Sequence, residues 1–448
     1  MPDPITWYAL GRTVVDTESI LEAVDAKMLT HNVDPSAHGQ DYEAIWEHRS
    51  AELLDHVNYS IYNIKLAPQT RTVKAFVSGG GEADFADIQQ AIDYTSLLGG
   101  GIVFIKNGTY LPTADITVPS NIHIQGESMD GVIIDFNGGT FQFLAEGSGN
   151  DSPSGTIAIN EDSGTIDGTS TAFLTEVEAG QYIRINDAWY EVSSITDDTH
   201  LNLVITYRGH SQTGLSYDIM TPLKNIEVDT LSIKGSHDSY AGYFHYVKDS
   251  SVHNIRTFSN THNGIKFTFL ADCSVKDIYS DGNLEYGILI DQNQSTYYSG
   301  LSSISNNEVG LYYSGDASSG NVIQNVNCSH NGWYGFHIIV GNKATFLTCT
   351  AVDNGADGFR LVAVTYINIL GCFAEGNDAD GIVIANNNSR CKIEMCTCLN
   401  NAQYGIEIAG GASGNSKNIV IGNVALGNTS GEISDGGTGD DVAHNIVT

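Results

Sequence analysis

The sequence is poor in proline and in basic residues, and it contains no long apolar run. Eight prolines in 448 residues are too few for a proline-rich disordered chain. Lysine and arginine total 20 against 53 aspartates and glutamates, and the net charge of −33 disfavours nucleic acid as a partner. No stretch approaches the roughly 18 apolar residues of a membrane helix, and no signal peptide is visible at the start. We therefore expect a folded acidic protein that binds no nucleic acid and does not insert into membranes.

Cysteine is also scarce, and the seven cysteines form no pair of Cys-x-x-Cys motifs. An odd number without such pairs indicates neither a disulfide framework nor a zinc knuckle. Five of the seven fall in columns of apolar or small residues within a repeat, where a thiol behaves as a small hydrophobe. We expect no metal site and no cofactor. Calcium alone stays open, although the repeats show no clear acidic cluster for it.

Glycine, in contrast, is abundant at 48 residues, and it marks an internal repeat. From residue 235 onward, a glycine is followed by an apolar, a variable and an apolar residue at intervals of 22 to 25 residues. These glycines are Gly242, Gly264, Gly287, Gly310, Gly335, Gly358, Gly381 and Gly405. An asparagine stands four residues before seven of them, at Asn260, Asn283, Asn306, Asn331, Asn354, Asn377 and Asn401.

This repeat of about 23 residues has short β-branched strands and no helical period, which predicts a parallel β-helix. Each repeat would form one coil, and successive coils would stack at about 4.8 Å. The asparagines would then bond their amides from coil to coil at a sharp turn. Leucine-rich repeats share the period, but their leucine-rich consensus is absent.

Upstream of the repeats, three segments carry a family resemblance. Residues 85–94 have a helical pattern, residues 99–110 begin with three glycines and continue as a strand, and residues 116–127 end in Ile-x-Ile-x-Gly-Glu. Together they resemble the pectate-lyase-like superfamily of right-handed parallel β-helices, which includes phage tailspikes. The resemblance covers roughly two-thirds of the chain with the repeats, and it implies a helix that caps the first coils. It says little about the reaction, since that superfamily holds lyases, hydrolases, epimerases and inert adhesins.

The sequence thus divides into four segments. Residues 1–70 have helical patterns with little core of their own, and by resemblance they form an N-terminal attachment segment. Residues 71–154 form the first coils with the capping helix, residues 155–222 alternate as an inserted small antiparallel β-module, and residues 223–448 hold the repeats. We predict an all-β fold, a single-stranded right-handed parallel β-helix with an N-terminal helical segment and this inserted module.

Strand alternation places the candidate site on one flank of the β-helix. The variable residue after each repeat glycine faces outward, and the residue two before the glycine shares that face. Between these two columns, the glycine ladder would form the floor of a trough that suits an extended polymer. The alternative is that each glycine only supplies a positive φ beside the asparagine turn.

Two reactions fit the side chains of this flank. Glu285 and Glu308 lie one coil apart, at about 4.8 Å, close to the roughly 5 Å of a retaining glycosidase pair. Elimination or epimerisation would instead use Arg360 against a uronate carboxylate, with His337 and Tyr312 in proton transfer. Residues 334–337 resemble the Tyr-Gly-Phe-Asp-Pro-His stretch of alginate epimerases, but they lack its Asp-Pro. The predicted substrate-binding residues are Lys266, Tyr286, Trp333, Tyr334 and Glu407.

We therefore expect a tailspike-like protein that binds an extracellular polysaccharide and depolymerises it by glycosidic hydrolysis or β-elimination. The alternative is a non-catalytic receptor-binding or structural β-helix protein, which the lack of a complete catalytic motif favours. The resemblance further implies a homotrimer, contact with virion tail components, and a location on the virion surface or outside the cell.

Overall fold

The structure, a computed structural model, describes residues 73–78, 84–150, 152–186, 188–315, 320–341, 343–410 and 414–447. The chain divides into two compact units, residues 1–69 and 70–448, and every described residue belongs to the second. The helical segment predicted over residues 1–70 lies outside the described residues.

The first coils begin with a short strand and a helix. Helix α1 (Ile88–Leu97) starts after Asp87, whose carboxylate accepts a hydrogen bond from the Gln90 amide at 2.8 Å and satisfies a free N–H of the first turn. Its buried face, Ile88, Ala91 and Ile92, packs on the neighbouring strands. The strands of this region are β1 (Val73–Val77), β2 (Gly101–Ile105), β3 (Gly108–Tyr110), β4 (Ile116–Thr117), β5 (Ile122–Gly126), β6 (Val132–Asp135) and β7 (Phe143–Glu146).

An antiparallel module then interrupts the coils, as the alternating pattern predicts. It has its own core around Phe173, Tyr190 and Tyr207, and a smaller cluster of Tyr182, Met220 and Tyr246 joins it to the β-helix. Its aromatic side chains are therefore largely structural. Its elements are β8 (Ser148–Asn150), β9 (Thr156–Ile159), β10 (Thr165–Thr169), helix α2 (Phe173–Glu176), β11 (Tyr182–Ile185), β12 (Ala188–Asp197), β13 (His200–Leu203), β14 (Gln212–Leu215) and β15 (Asp218–Thr221).

Apart from the module, the strands of the described residues form two parallel sheets along the coil stack. The first, called the long sheet, has 22 strands in the described part of the chain and includes β1–β3, β5 and β6. Its later strands are β17 (Glu227–Lys234), β19 (Ser251–Phe258), β21 (Ser274–Asp281), β23 (Tyr297–Ser299), β24 (Ser302–Ile304), β26 (Val322–Gln324), β27 (Asn327–Ser329), β29 (Thr345–Leu347), β30 (Thr350–Val352), β32 (Asn368–Leu370), β33 (Phe373–Glu375), β35 (Lys392–Glu394), β36 (Thr397–Leu399), β38 (Ile419–Ile421), β39 (Val424–Leu426), β41 (Asp441–Ala443) and β42 (Ile446–Val447).

The second sheet, called the site sheet, carries the glycine-led strands and includes β4 and β7. Neighbouring strands pair in parallel and in register, for example Phe336 with Phe359. The parallel β-helix predicted from the repeat is confirmed. The later strands are β16 (Leu223–Lys224), β18 (Tyr240–Lys248), β20 (Asn263–Ala271), β22 (Ile288–Asp291), β25 (Leu311–Ser314), β28 (Phe336–Ile339), β31 (Phe359–Val362), β34 (Ile382–Asn386), β37 (Tyr404–Ile408) and β40 (Gly431–Asp435).

The corner before the site sheet holds the predicted asparagine ladder. Each side-chain amide donates to the side-chain oxygen of the asparagine one coil further on, as from Asn331 to Asn354 at 3.1 Å. The ladder ends at Asn428, which donates to the Glu432 carboxylate at 2.6 Å. Because these amides are buried, the bonds satisfy groups that would otherwise destabilise the fold.

The interior of the stack is filled by aliphatic, aromatic and thiol side chains. The seven cysteines, all within the described part of the chain, are free and buried. Cys349 and Cys372 stack on adjacent coils, with the Cys349 amide 3.3 Å from the Cys372 Sγ, and burial raises the pKa of the Cys328 thiol. Among the described residues, no helix has the length and apolarity to cross a membrane.

Candidate functional site

The outward column predicted on the site sheet is in register from coil to coil. Lys266 pairs with Leu289, Leu289 with Tyr312, and Tyr312 with His337. Arg360, Val383 and Glu407 continue the column. Leu289 and Val383 are only 7% and 2% exposed, so buried apolar side chains separate the polar groups. Within this column the polar side chains therefore form three patches, of which the last two are bridged by residues of the neighbouring column.

The first patch surrounds Lys266, which was predicted to bind substrate. Its ammonium lies 3.9 Å from the Asp291 carboxylate and 5.1 Å from the ring centre of Tyr240. Tyr240 in turn stacks on Tyr243 at 5.4 Å. This lysine is thus part of an ion pair and a cation–π contact.

The glycine ladder does not form the floor of a trough, so that prediction is wrong. A Cβ on Gly335 would lie 2.7 Å from the Gly358 carbonyl oxygen and 3.0 Å from the buried Ala351 side chain. The missing side chains therefore point inward, where the next coil leaves no space. The φ angles of the seven glycines from Gly264 to Gly405 lie outside the left-handed region, so the alternative explanation is wrong as well.

The floor is formed by the residues directly before the glycines. The Gly335 amide donates to the Asp357 carbonyl, and the Gly358 amide donates to the Asp380 carbonyl. Asp357 and Asp380, which precede Gly358 and Gly381, therefore lie on adjacent coils. Asp357 and Asp380 are buried, at 3% and 4% exposed, and both line an open depression of the surface.

Aromatic side chains cover the middle of the site sheet. We call Tyr286, Tyr312, Trp333 and Tyr334 the aromatic row. Tyr286 stacks on Tyr312 with ring centres 5.4 Å apart, and Trp333 stacks on Tyr334 at 4.4 Å. Trp333 is 44% exposed. Tyr334 is 8% exposed, and Tyr286 and Tyr312 are half-buried, so Trp333 supplies most of the flat apolar surface on which a sugar ring can pack.

The predicted carboxylate pair, Glu285 and Glu308, lies on adjacent coils at one edge of this row. Their backbones are joined by a hydrogen bond from the Glu308 amide to the Glu285 carbonyl at 3.2 Å. One oxygen of Glu285 lies 2.9 Å from His262 Nδ1, and the other accepts from Asn263 at 3.0 Å. Glu285 is therefore held in place by two partners on the preceding coil.

A second group of carboxylates was missed by the sequence analysis. Asp357 binds the Arg360 guanidinium through Oδ2 at 2.9 Å and accepts the Asp380 amide through Oδ1 at 3.1 Å. Asp380 accepts the Tyr404 amide through Oδ1 at 2.8 Å and contacts the Glu407 carboxyl. Burial, reinforced by the charges of Asp357 and Glu407, raises the pKa of Asp380 to about 7.

These groups line an open depression of about 350 Å³, which we call the carboxylate groove. Its lining includes Tyr334, Asp357, Arg360, Asp380 and Glu407. Tyr334 belongs to both the aromatic row and the groove, and the Arg360 guanidinium lies 5.3 Å from its ring centre. The two features are therefore continuous along the face.

His337 lies between the aromatic row and the groove. Burial, together with the positive charge of Arg360, lowers the pKa of His337 to about 4. Its Nδ1 is buried and has no hydrogen-bond partner among the described residues. The imidazole is therefore neutral near pH 7 and packs against Tyr312 and Tyr334 at 5.5 and 4.9 Å.

The comparisons with known proteins concern the fold. A family described as a right-handed β-helix region matches residues 302–447. Among solved structures, the A-module of the mannuronan C-5 epimerase AlgE4 of Azotobacter vinelandii is 13% identical, with a TM-score of 0.51 over 81% of this chain and 95% of the module. The tailspike gp61 of Pseudomonas phage phi297 is 12% identical, with a TM-score of 0.46 over 75% of this chain and 72% of its own.

The catalytic domain of a GH87 alpha-1,3-glucanase in complex with nigerose is 14% identical, with a TM-score of 0.47 over 85% of this chain and 70% of its own. No curated protein matches the sequence. At these identities the structural likeness concerns the fold and leaves the reaction open. The coils and ladders described above, with the family match over residues 302–447 and the fold shared with the AlgE4 A-module, make the chain a right-handed parallel β-helix protein.

Proposed function

We propose that this protein binds a polysaccharide along the aromatic row and hydrolyses its glycosidic bonds in the carboxylate groove. The observation that carries the proposal is Asp380, a carboxyl group with a pKa of about 7 in contact with Glu407. Paired carboxyls in which one keeps its proton near neutral pH provide an acid beside a base. Their position beside the aromatic row, with exposed Trp333 at its surface, gives a chain of sugars a path to them.

In this mechanism, Asp380 is the general acid. It donates its proton to the glycosidic oxygen as the bond from that oxygen to the anomeric carbon breaks. The Tyr404 amide holds Oδ1 of Asp380, so Oδ2 is left to carry the proton. Asp357 supports the acid form, because its negative charge raises the pKa of Asp380.

Glu407 is the partner carboxylate. Glu407 lies close enough to Asp380 to raise its pKa, which favours the roughly 5–5.5 Å spacing of a retaining pair over the about 6.5–9.5 Å of an inverting pair. A retaining reaction, with Glu407 attacking the anomeric carbon and water then hydrolysing the glycosyl ester, fits a close pair better. Glu407 was expected only to bind substrate, and Glu285 with Glu308 was expected to supply this chemistry.

Three features argue against β-elimination in the same groove. The guanidinium of Arg360, the proposed counter-cation for a uronate, already pairs with Asp357. His337 is a weak base at a pKa of about 4. Burial raises the pKa of Tyr312, which disfavours its phenolate.

The charges of the groove favour a neutral polysaccharide. Asp357, Asp380 and Glu407 face a single cation, Arg360, and the whole chain carries a charge of −33. An anionic polymer would meet repulsion at long range, and the described lining of the groove offers it no cation that is not already paired. A tailspike-like role, trimeric assembly and a location on the virion or outside the cell remain predictions.

A non-catalytic carbohydrate-binding protein is the second candidate. It is favoured by the hydrogen bonds of Asp357 and Asp380, each of which uses one oxygen to bind the backbone of the next coil. Side chains in that arrangement also stabilise the stack. The aromatic row would serve such a protein equally well.

The deciding experiment is to incubate the protein with a panel of neutral and acidic polysaccharides. New reducing ends and the ultraviolet absorbance of unsaturated sugar ends would be measured together. We expect reducing ends without unsaturation, abolished in Asp380→Asn and Glu407→Gln. Loss of activity in Glu285→Gln and Glu308→Gln instead would move the reaction to that pair, and binding without turnover would favour the second candidate.

A further inference from the structure

A partly buried cluster of histidine and carboxylate side chains lies on the long sheet, on a different face from the carboxylate groove. His123 of β5 pairs in register with Glu227 of β17, and Asp229 pairs with His253 of β19. Three successive strands therefore project these four residues toward the same outer surface. Strands β5 and β17 are neighbours in space although the inserted module separates them in sequence.

The distances within the cluster are short. His123 Nε2 lies 3.2 Å from Asp229 Oδ2, and His123 Nδ1 lies 3.6 Å from Glu227 Oε2. One ligand atom from each of these three residues lies within 4.8 Å of the other two. His123 and Asp229 are only 8% and 6% exposed, and the Glu227 side chain is 33% exposed; a carboxylate as buried as Asp229 is normally paired or coordinates a metal.

The donor atoms suit a zinc ion. Ligands at about 2.0–2.1 Å from Zn²⁺ in a tetrahedron lie roughly 3.3 Å from one another, close to the 3.2 Å between His123 Nε2 and Asp229 Oδ2. Glu227 lies nearest to the other ring nitrogen, Nδ1, and would turn toward Nε2 to share the ion, within the 4.8 Å that already spans the three donor atoms. An imidazole with carboxylates favours a first-row divalent metal over Ca²⁺ or Mg²⁺, which prefer oxygen donors alone. We propose that His123, Glu227 and Asp229 form a zinc-binding site.

Two neighbouring side chains hold the carboxylates in position. His253 Nε2 lies 3.2 Å from Glu227 Oε1, and the Thr230 hydroxyl donates to Asp229 Oδ1. Each carboxylate thus has one oxygen bound and one directed toward His123. Such outer partners orient the ligands of metal sites.

The position of this site suggests a structural role. His123 and Asp229 are 106 residues apart in sequence, and the segment between them contains the inserted module. A metal bound to both would link the coil before the module to the coil after it. The ion would bind only when His123 and Asp229 are brought together by folding. Metal binding would therefore stabilise the folded chain by mass action.

Cobalt provides a direct test, since Co²⁺ replaces Zn²⁺ and absorbs visible light strongly when it is tetrahedral. The full chain, first dialysed against a chelator, would be titrated with CoCl₂ and then with ZnCl₂. We expect one Co²⁺ per chain, displacement of the visible band by Zn²⁺, and a higher melting temperature with Zn²⁺ than with Mg²⁺. Asp229→Asn and Glu227→Gln should each weaken Co²⁺ binding at least tenfold.

The matched control is His330→Gln, which removes a histidine from an exposed pair with Asp353 at 3.5 Å and should bind Co²⁺ as the wild type does. Circular dichroism would confirm that the variants fold. Glu227 is the more exposed ligand, so its variant keeps the test valid if Asp229→Asn does not fold. Absence of stoichiometric binding in the wild type, or equal binding in both ligand variants, would overturn the proposal.

Discussion

The guanidinium of Arg360 lies 2.9 Å from the carboxylate of Asp357, three residues earlier in the same coil. The sequence alone presents Arg360 as a free cation for an acidic substrate. In the folded chain its charge is compensated by a nearly buried partner. This single contact shifts the expected chemistry from elimination on a uronate toward hydrolysis of a neutral sugar chain.

The activity should depend on pH through Asp380. If this residue is the general acid, it must be protonated, and its pKa of about 7 predicts that kcat falls as the pH rises through about 7. Asp380→Asn should lose at least about 10²-fold in kcat, a typical size for removal of general acid catalysis. Initial rates measured between pH 5 and pH 9 would check this, and a rate that rises through pH 7 would contradict it.

The same substitution should stabilise the fold in alkali. Because the folded-state pKa of Asp380 is raised, its contribution to stability is present at low pH and is lost as the pH rises toward about 7. Asn keeps the oxygen that accepts the Tyr404 amide and carries no charge. We expect Asp380→Asn to melt at a higher temperature than the wild type at pH 8, with a smaller difference at pH 5. Calorimetry at both values would test the sign.

His337 should make the protein sensitive to mild acid. The folded state lowers its pKa to about 4, below the value of about 6.5 in an unfolded chain. The resulting stabilisation is therefore complete above about pH 6.5 and is lost as the pH falls toward 4. His337→Phe should flatten the dependence of melting temperature on pH in that window, and an unchanged dependence would contradict the assignment.

Trp333 should contribute to carbohydrate binding without supporting the fold. Its ring is 44% exposed, and loss of one stacking contact of about 1 kcal/mol corresponds to a roughly fivefold increase in Kd. Trp333→Ala should show that increase with an unchanged melting temperature. Tyr366, 42% exposed at a corner outside the groove, provides the control, and equal losses in both variants would place the binding surface elsewhere.

The asparagine ladder should be important for stability. Asn331 donates to the Ser303 carbonyl and to Asn354, and its oxygen accepts two bonds from Asn306. Asn331→Ala would leave buried partners unsatisfied, at a cost of about 1–3 kcal/mol for each. Chemical denaturation would measure the loss. Asn307→Ala, at an exposed neighbouring position, should cost little, and a stable Asn331→Ala would contradict the role given to the ladder.

The fold was predictable because identical side chains recur in register. The period, the asparagine ladder and the outward column of Tyr312, His337 and Arg360 all follow from one repeat and from strand alternation. None of these inferences required knowledge of contacts distant in sequence.

The carboxylate groove was missed because alternation does not extend through the glycines. Strands β28 and β31 begin at Phe336 and Phe359, directly after Gly335 and Gly358. The residues before each strand therefore do not follow the in–out alternation of the strand itself. Asp357 faces the groove, and Gly358 faces the interior. The Asp-Gly pairs at 357–358 and 380–381 were the available signal, but their burial and the contact with Glu407 depend on the packing of adjacent coils.

The ladder also determines how such a chain can change in length. Successive asparagines from Asn260 to Asn428 are separated by 23, 23, 25, 23, 23, 24 and 27 residues, yet each bond reaches the equivalent atom on the next coil. Insertions of a few residues are accommodated at the corners, while the stack itself grows only by complete coils. Duplication or deletion of one coil would therefore shift a sugar-binding residue along the stack axis by one coil spacing. An insertion or deletion of a few residues at a corner would leave the position of that residue along the axis unchanged.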